Sequence, residues 1–237
     1  MTRRRWIADE VAGNRAALTG THAAHLARVL RAQVGQEFDI AAKNTVRRGR
    51  IVSVSNDRVE FELGEASPSI LLPDLTLLLS IFKFDRMEWA IEKATELGVS
   101  RIVPLIAQRT DAHLVAASSK RFERWQRLVH QASEQSRRAS PPEIEQPVKV
   151  REASAFSAPT RILLVESEQQ RTLRDCLQAT DVPGTVALAI GPEGGWTPAE
   201  IDAFTAAGFL PASLGPTILR AETAAIAAVA IALAELA

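Results

Sequence analysis

The spacing of apolar residues in the first part of the chain is typical of β-strands. Within Arg58–Leu63 apolar residues alternate with charged ones, which predicts a half-buried strand. Asn56-Asp57 directly before it is a common hairpin turn, so Arg50–Ser55 is predicted to be the partner strand. A further strand is predicted over Glu37–Ile40. Together these patterns predict a small β-rich domain over residues 1–72.

One helix is predicted inside this domain. Thr21 is a suitable N-cap for a helix that reaches about Ala32. On a helix of this register, Leu26, Val29 and Leu30 share one face. The helix is therefore expected to be amphipathic, with these three side chains on its apolar face.

From residue 73 onward, short apolar runs alternate with amphipathic segments. Such alternation predicts an α/β fold with a parallel sheet and helices on both of its faces. Thr197-Pro198-Ala199-Glu200 combines a capping box with proline at the first helical position, so a helix is expected to begin there. The predicted strands are Leu75–Phe82, Arg101–Ile106, Ile162–Val165 and Val186–Ile190, and the other predicted helices begin at Asp85 and run over Lys120–Arg138.

Composition narrows the class of protein. The chain has 237 residues, of which 46% are apolar and 24% charged, as in ordinary globular proteins. Its one cysteine, Cys176, excludes a disulfide framework and is expected to be a buried apolar residue. We recognise no secretory leader, and the apolar run Ala224–Ala234 is too short to span a bilayer. The expected location is the cytoplasm, away from membranes.

The net charge of the whole chain is zero, but basic residues are concentrated in its first part. Residues 1–50 carry ten Lys/Arg and four Asp/Glu, with clusters at Arg3-Arg4-Arg5 and Arg47-Arg48-Gly49-Arg50. A basic cluster is expected where a polyanion such as RNA binds, but it is equally typical of a solvated surface. His22 and His25 have a spacing compatible with a metal, yet no cysteine or third histidine is near them in the sequence. We expect surface histidines and no metal site.

Two glycine-containing turns in the last quarter of the chain are the strongest candidates for a functional site. Gly191–Gly195 follows the apolar run Val186–Ile190, and Leu214–Gly215 opens a second turn some twenty residues later. Glycines after a buried strand let a backbone approach a ligand, and ligands of open α/β sheets lie beyond the carboxyl ends of strands. One site built from two neighbouring loops is therefore predicted. Walker A, GxGxxG, HExxH and GxSxG motifs are absent from the sequence.

These turns carry a family resemblance that extends over nearly the whole chain. The sequence resembles the RsmE family of 16S ribosomal RNA uridine-N3 methyltransferases. The resemblance implies a PUA-like RNA-binding β-barrel over residues 1–72. It also implies a SPOUT methyltransferase domain with a C-terminal trefoil knot over 73–237, S-adenosyl-L-methionine as cofactor, and a homodimer. The motifs that carry it are Gly191-Pro192-Glu193-Gly194-Gly195, Leu214-Gly215, Ile218-Leu219-Arg220-Ala221-Glu222-Thr223-Ala224, Glu92–Val99 and His25–Arg31.

For this cofactor the two loops offer suitable groups. Backbone N–H and C=O groups can bind an adenine edge and ribose, and apolar side chains can enclose the ring. Glu193 is expected either to order its own loop or to contact the cofactor. The candidate cofactor-binding residues are Ile190, Gly191, Pro192, Glu193, Gly194, Leu214, Gly215, Ile218, Leu219 and Thr223.

Methyl transfer to uridine N3 requires loss of a proton, which points to Arg220 and Glu222. Arg220 would stabilise negative charge on the uracil, and Glu222 would accept the proton or hold Arg220; a purely structural Arg–Glu pair is the alternative. Methylation of a ribose 2′-hydroxyl, or a non-enzymatic RNA-binding role in ribosome assembly, are the alternative functions. The expected partner is 16S ribosomal RNA, in an assembled small subunit. Candidate RNA contacts are Arg3, Arg4, Arg5, Arg28, Arg31, Arg109, Arg124 and Arg138.

The segment Ala224–Ala234 is apolar at every position, so a helix formed by it has no face for water. We therefore expect part of this helix to pack against a second copy of the chain. Ala228 and Ala232 are candidate interface positions.

Overall fold

The hairpin around Asn56-Asp57 is present in the computed structural model of the chain, which describes residues 5–42, 45–67, 73–153, 156–179 and 185–236. The chain divides into two units. The first contains Met1–Leu71 together with Ser133–Pro141, and the second contains Leu72–Ala132 and Pro142–Ala237. The expected domain boundary between residues 72 and 73 falls at the end of residues 68–72, all of which lie outside the described ranges.

The first unit is built on a sheet with strand order β1-β4-β5-β6-β3-β2. Neighbouring strands are antiparallel except for β1 and β4, which are parallel. Trp6, Leu18, Ile40 and Phe61 are buried in its core. The strands are β1 (Arg5–Ile7), β2 (Glu10–Ala12), β3 (Arg15–Thr19), β4 (Glu37–Ala42), β5 (Thr45–Val54) and β6 (Arg58–Ser67).

The helix of this unit differs from its prediction. An α-helical turn, α1 (Gly20–Ala24), continues into a π-helical turn over His25–Val29, where the Leu30 amide donates to the carbonyl of His25 at 3.1 Å. The wider turn changes the helical register, and so only Leu26 of the predicted apolar face is buried. Val29 is 66% exposed and Leu30 is 46% exposed. The three residues therefore do not form one buried apolar face.

The second unit contains the predicted parallel sheet. Its strand order is β10-β8-β7-β12-β11-β13, and β9 pairs with β8. All of the strand pairs recorded in this sheet are parallel. The strands are β7 (Asp74–Ser80), β8 (Arg101–Ile106), β9 (Glu143–Ile144), β10 (Val148–Lys149), β11 (Thr160–Leu164), β12 (Thr185–Ile190) and β13 (Leu210–Ala212).

Apolar side chains on both faces of this sheet are covered by helices. Leu77 of β7 belongs to a core shared with α2 and α7, and Leu78 points into a second core with Phe204 of α6. The mixed α/β class is therefore confirmed. The helices are α2 (Phe84–Leu97), α3 (Ala112–Gln135), α4 (Val150–Ala153), α5 (Leu173–Gln178), α6 (Pro198–Ala206) and α7 (Ala221–Leu236).

The first residues of two helices can be compared with their predicted starts. Thr197 caps α6, and its hydroxyl and the Glu200 carboxylate form the predicted reciprocal capping box. In contrast, α3 begins at Ala112, eight residues before the predicted Lys120, since polar and small residues there gave no apolar stripe. Among the described helices none combines the length and the apolar character that a bilayer crossing requires.

Candidate functional site

A cavity of about 500 Å³ lies at the carboxyl ends of β11, β12 and β13. The loop after β12 and the segment between β13 and α7 both line it, so the two glycine-containing turns lie together. The sequence analysis missed a third contributor, the loop after β11, because it carries no glycine motif. The lining residues are Arg109, residues 164–167, residues 190–196, Ile201, residues 212–221 and Ala224.

The segment between β13 and α7 presents unpaired backbone groups to this cavity. Within the described part of the chain, the C=O groups of residues 214–219 and their N–H groups, which Pro216 lacks, have no hydrogen-bond partner. Gly215 has a φ of +117°, and Ile218 is 80% exposed. Polar backbone atoms and an exposed apolar side chain in one concave site are what a flat heterocyclic ligand requires.

The loop after β12 is held in place by side chains outside its motif. The Trp196 indole N–H donates to the carbonyl of Leu164 at 3.0 Å. A β-carbon on Gly191 would lie 3.1 Å from that indole, so Gly191 permits close packing of the ring. The sequence offered no signal for this contact, since Trp196 and Leu164 are distant along the chain.

Arg109 is the second support of this loop. Its Nη1 donates to the carbonyls of Gly194 at 2.9 Å and of Trp196 at 3.2 Å. A β-carbon on Gly194 would lie 3.2 Å from Cβ of Arg109. Gly194 is therefore needed for the approach of Arg109, and not only for the ligand approach that the sequence suggested. Contact of Arg109 with RNA remains a prediction.

A cluster of three charged residues lies beside the cavity. Arg86 Nη1 donates to Glu193 Oε1 at 2.8 Å, and Arg86 Nε lies 3.8 Å from Glu222 Oε1. Glu222 is buried, and its Oε2 has no hydrogen-bond partner among the described residues. Glu222 is not among the cavity-lining residues, and its ion pair is with Arg86; the alternative of an Arg220–Glu222 pair is not seen among the described residues. Arg220 itself is exposed and lines the cavity.

Thr223 is the candidate cofactor residue that the structure does not bring to the cavity. Ala221 and Ala224 line the cavity, whereas Thr223 is exposed and is not among the lining residues. Each helical residue is rotated by about 100° from the one before it. Thr223 therefore lies on a different face of α7 from Ala221 and Ala224.

The candidate RNA contacts of the first unit have varied surroundings. Arg3 and Arg4 lie outside the described residues. Arg5 donates to the carbonyl of Arg137. Arg28 is exposed and donates through Nε to Asn56 Oδ1 at 3.2 Å, and Arg31 is exposed with a φ of +49°.

Two other candidate RNA contacts are engaged within the protein. Both Nε and Nη2 of Arg124 lie 2.8 Å from the carboxylate of Glu88. Arg138 is half-buried, and its Nε donates to the carbonyl of Ser140 at 3.2 Å. Burial lowers the pKa of Arg138 to about 10, which still leaves it protonated at neutral pH. These contacts restrict the geometry in which either residue can bind phosphate.

The structure also shows the contacts of His22 and His25 and the burial of Cys176, which the sequence singled out. His22 Nδ1 lies 3.1 Å from Asp9 Oδ1, and the ring of His25 lies 5.8 Å from that of Trp6. Cys176 is buried as predicted, and this burial raises the pKa of its thiol.

The parallel sheet and its cavity coincide with one recognised domain. The family model of the RNA methyltransferase domain matches residues 71–233, which include the whole sheet and every cavity-lining residue. The chain belongs to this family and, within it, to the ribosomal RNA small subunit methyltransferase E proteins. A relative of that name from Aquifex aeolicus is 30% identical over 95% of this chain and 97% of its own length. Another from Synechocystis is 34% identical over 90% of this chain and 71% of its own. The resemblance of the motifs is thus confirmed.

Solved structures extend the similarity to the whole chain. A ribosomal RNA small subunit methyltransferase E from Neisseria gonorrhoeae, bound to S-adenosyl methionine, is 29% identical with a TM-score of 0.82 and covers 97% of this chain and 96% of its own. A putative methyltransferase from Legionella pneumophila, also in complex with that cofactor, is 30% identical with a TM-score of 0.85. It covers 99% of this chain and 98% of its own.

Proposed function

We propose that this chain is an S-adenosyl-L-methionine-dependent methyltransferase that methylates N3 of a uridine in 16S ribosomal RNA. Its substrate is the RNA of an assembled small subunit in the cytoplasm. Family membership and the cofactor bound to the two similar structures support the methyl donor. The resemblance of the sequence motifs supports the target position.

The observation that carries the proposal is the unpaired backbone of residues 214–219 in a cavity of about 500 Å³. An adenine ring needs N–H and C=O partners at its edge and apolar contacts at its faces. Leu214, Ile218 and Leu219 supply the apolar contacts, while the loop after β12 closes the other side. These residues fit S-adenosyl-L-methionine. The remaining members of the proposed cofactor set are Ile190, Gly191, Pro192, Glu193, Gly194 and Gly215.

When bound, S-adenosyl-L-methionine supplies an electrophilic methyl group. Uridine N3 carries a proton at neutral pH, so the reaction needs a proton acceptor as well as alignment of N3 with the methyl carbon. Glu222 accepts this proton in our proposal: it directly follows the cavity-lining Ala221, and its buried Oε2 has no hydrogen-bond partner among the described residues. Arg220, exposed at the cavity, stabilises negative charge on the uracil carbonyl oxygens.

RNA binding is assigned to the first domain, proposed to be a PUA-like barrel over residues 1–72. Exposed Arg28 and Arg31 support this assignment, because guanidinium groups bind phosphates. Residues 73–237 would form the SPOUT domain, with the segment before α7 inside a trefoil knot. A homodimer completes the proposal. Its support is the exposure of small apolar side chains on α7, among them Ala230 and Ala234.

The experiment that tests this function is methylation in vitro with labelled S-adenosyl-L-methionine. Purified small subunits and free 16S ribosomal RNA are compared as substrates, both isolated from cells that lack this protein. Nucleoside mass spectrometry then distinguishes 3-methyluridine from 2′-O-methyluridine. We expect 3-methyluridine, formed faster on small subunits. Methylation of a ribose hydroxyl would contradict the proposed position, and transfer of no methyl group would contradict the enzymatic function.

A further inference from the structure

Arg86 contacts two carboxylates, that of the cavity-lining Glu193 and that of Glu222, which is buried in the helix next to the cavity-lining Ala221. Its Nη1 lies 2.8 Å from Glu193 Oε1 in the loop after β12, and its Nε lies 3.8 Å from Glu222 Oε1 in the first turn of α7. Arg86 itself lies in the first turn of α2 and is not one of the cavity-lining residues. It can therefore act on the site only through the residues that it holds.

The burial of Glu222 distinguishes this cluster from an ordinary surface ion pair. The side chain of Glu222 is only 6% exposed, whereas those of Arg86 and Glu193 are 32% and 35% exposed. A buried carboxylate is costly unless a cation or hydrogen-bond donor compensates it. Arg86 supplies the cation, and it also fixes which carboxylate oxygen is engaged. Oε1 faces Arg86, while Oε2 has no partner among the described residues.

A guanidinium group is suited to this geometry because its donors point in several fixed directions within one plane. Arg86 uses separate nitrogens for Glu193 and Glu222. A lysine has a single ammonium group on a flexible stem, so it can replace the charge but not the planar two-sided contact. The choice of arginine therefore matters beyond its charge.

We propose that Arg86 is a positioning residue of the methyl-donor site. It fixes the separation between the loop Gly191–Gly195 and the first turn of α7, and it compensates and orients the buried carboxylate of Glu222. This inference rests on the function proposed above. It adds a residue that the sequence motifs did not include and that is not among the cavity-lining residues.

Arg86→Met keeps an apolar stem of similar length and removes the guanidinium, so it tests the proposal directly. We expect the dissociation constant and the KM for S-adenosyl-L-methionine to rise about tenfold, as the loss of roughly 1.4 kcal/mol would give. The kcat should also fall, because Glu222 loses its orientation, while the KM for small subunits stays unchanged. Arg86→Lys should recover part of both losses. The measurements are isothermal titration and steady-state kinetics.

Two additional variants separate positioning from general stability. Arg174→Met removes an arginine that pairs with Glu235 near the end of α7 at 2.8 Å, and it should leave all three constants unchanged. Glu193→Gln should weaken cofactor binding in the wild-type background and add little in Arg86→Met, because the two residues share one contact. Circular dichroism melts show whether each variant is folded at the assay temperature.

The outcomes separate this inference from the proposed function. Wild-type cofactor affinity and kcat in folded Arg86→Met would overturn the positioning role alone, as would fully additive effects of Arg86→Met and Glu193→Gln. If Arg86→Met does not fold, cofactor affinity and kcat are measured for Arg86→Lys and Glu193→Gln instead. Wild-type values in both folded variants would overturn the positioning role. A wild-type protein that binds no S-adenosyl-L-methionine would overturn the function and this inference together.

Discussion

Gly215 has a backbone φ of +117°, a region that residues with a β-carbon rarely adopt. Gly215→Val should therefore strain the segment before α7 and misplace its unpaired backbone groups. We expect binding of S-adenosyl-L-methionine to fall at least tenfold while the fold remains intact, as measured by isothermal titration and circular dichroism. Gly13→Val is a matched control, because Gly13 has a φ of +60° in the first unit. Unchanged affinity in Gly215→Val would remove this segment from the site.

Glu222 and Glu235 lie near opposite ends of α7, so the same Glu→Gln substitution at each position gives a variant and its matched control. Glu222→Gln removes the proposed proton acceptor with little change in shape, so kcat should fall by about a hundredfold, the usual order for general-base catalysis. Cofactor affinity should change much less than kcat. Glu235→Gln should retain wild-type kinetics. A kcat in Glu222→Gln close to that of the wild type would assign proton transfer to another group.

Sequence patterns identified the residues of the site that are close together in the chain. Gly191–Gly194 and Leu214–Leu219 follow apolar runs, and they line one cavity. The contacts by which Arg86 and Trp196 support the loop after β12 could not be found from such local patterns. Arg86 is 107 positions from Glu193, and Trp196 is 32 positions from Leu164. Such contacts depend on the order of strands in the sheet, which hydrophobic periodicity does not determine.

At the scale of elements, α7 shows which part of an apolar helix is covered. Ala228 and Ala232 are fully buried in the core of their own unit, so the prediction that they face a partner was wrong. An uncovered stripe lies elsewhere on the helix. It consists of exposed Thr223, Ala230 and Ala234 with half-buried Ala227, at the i, i+4, i+7 and i+11 spacing of one helical face.

The dimer prediction can therefore be tested at Ala230, which lies in this uncovered stripe, instead of at the buried Ala228. Ala230→Glu places a charge on the uncovered face, where a second copy would pack, and should convert a dimer into a folded monomer. Ala228→Glu instead buries a charge in the core and should prevent folding. Sedimentation equilibrium measures the association state, and circular dichroism measures the fold. A wild-type monomer at micromolar concentration, or an unchanged dimer in Ala230→Glu, would contradict this interface.

Element types were easier to predict than element details. The strand Arg101–Ile106 and the start of α6 agree with the structure because strong apolar runs and a capping box determine them. The first helix was less predictable. Its π-helical turn over His25–Val29 inserts a residue into the 3.6-residue repeat, and no local signal reveals such an insertion.

At the scale of the whole molecule, we propose that the basic first domain binds RNA. If Arg28 and Arg31 contact phosphates, Arg28→Gln/Arg31→Gln should weaken RNA binding. It should also reduce the slope of log affinity against log salt by about 1.4, given about 0.7 per single-stranded phosphate contact. Cofactor affinity should stay unchanged, and Arg174→Gln should alter neither. Filter binding over a salt series measures the slope. An identical slope would mean that both arginines are only solvated surface charges.

The central claim is that the cavity at the carboxyl ends of β11, β12 and β13 binds the methyl donor. Isothermal titration of the purified protein with S-adenosyl-L-methionine tests this binding, and adenosine and ATP, which share its adenosine part but lack the methionine, serve as controls. We predict saturable binding of one molecule per chain at micromolar concentration, its loss in Gly215→Val, and no comparable binding of ATP. Absence of binding by the folded wild-type protein would contradict the claim and favour a non-enzymatic RNA-binding role.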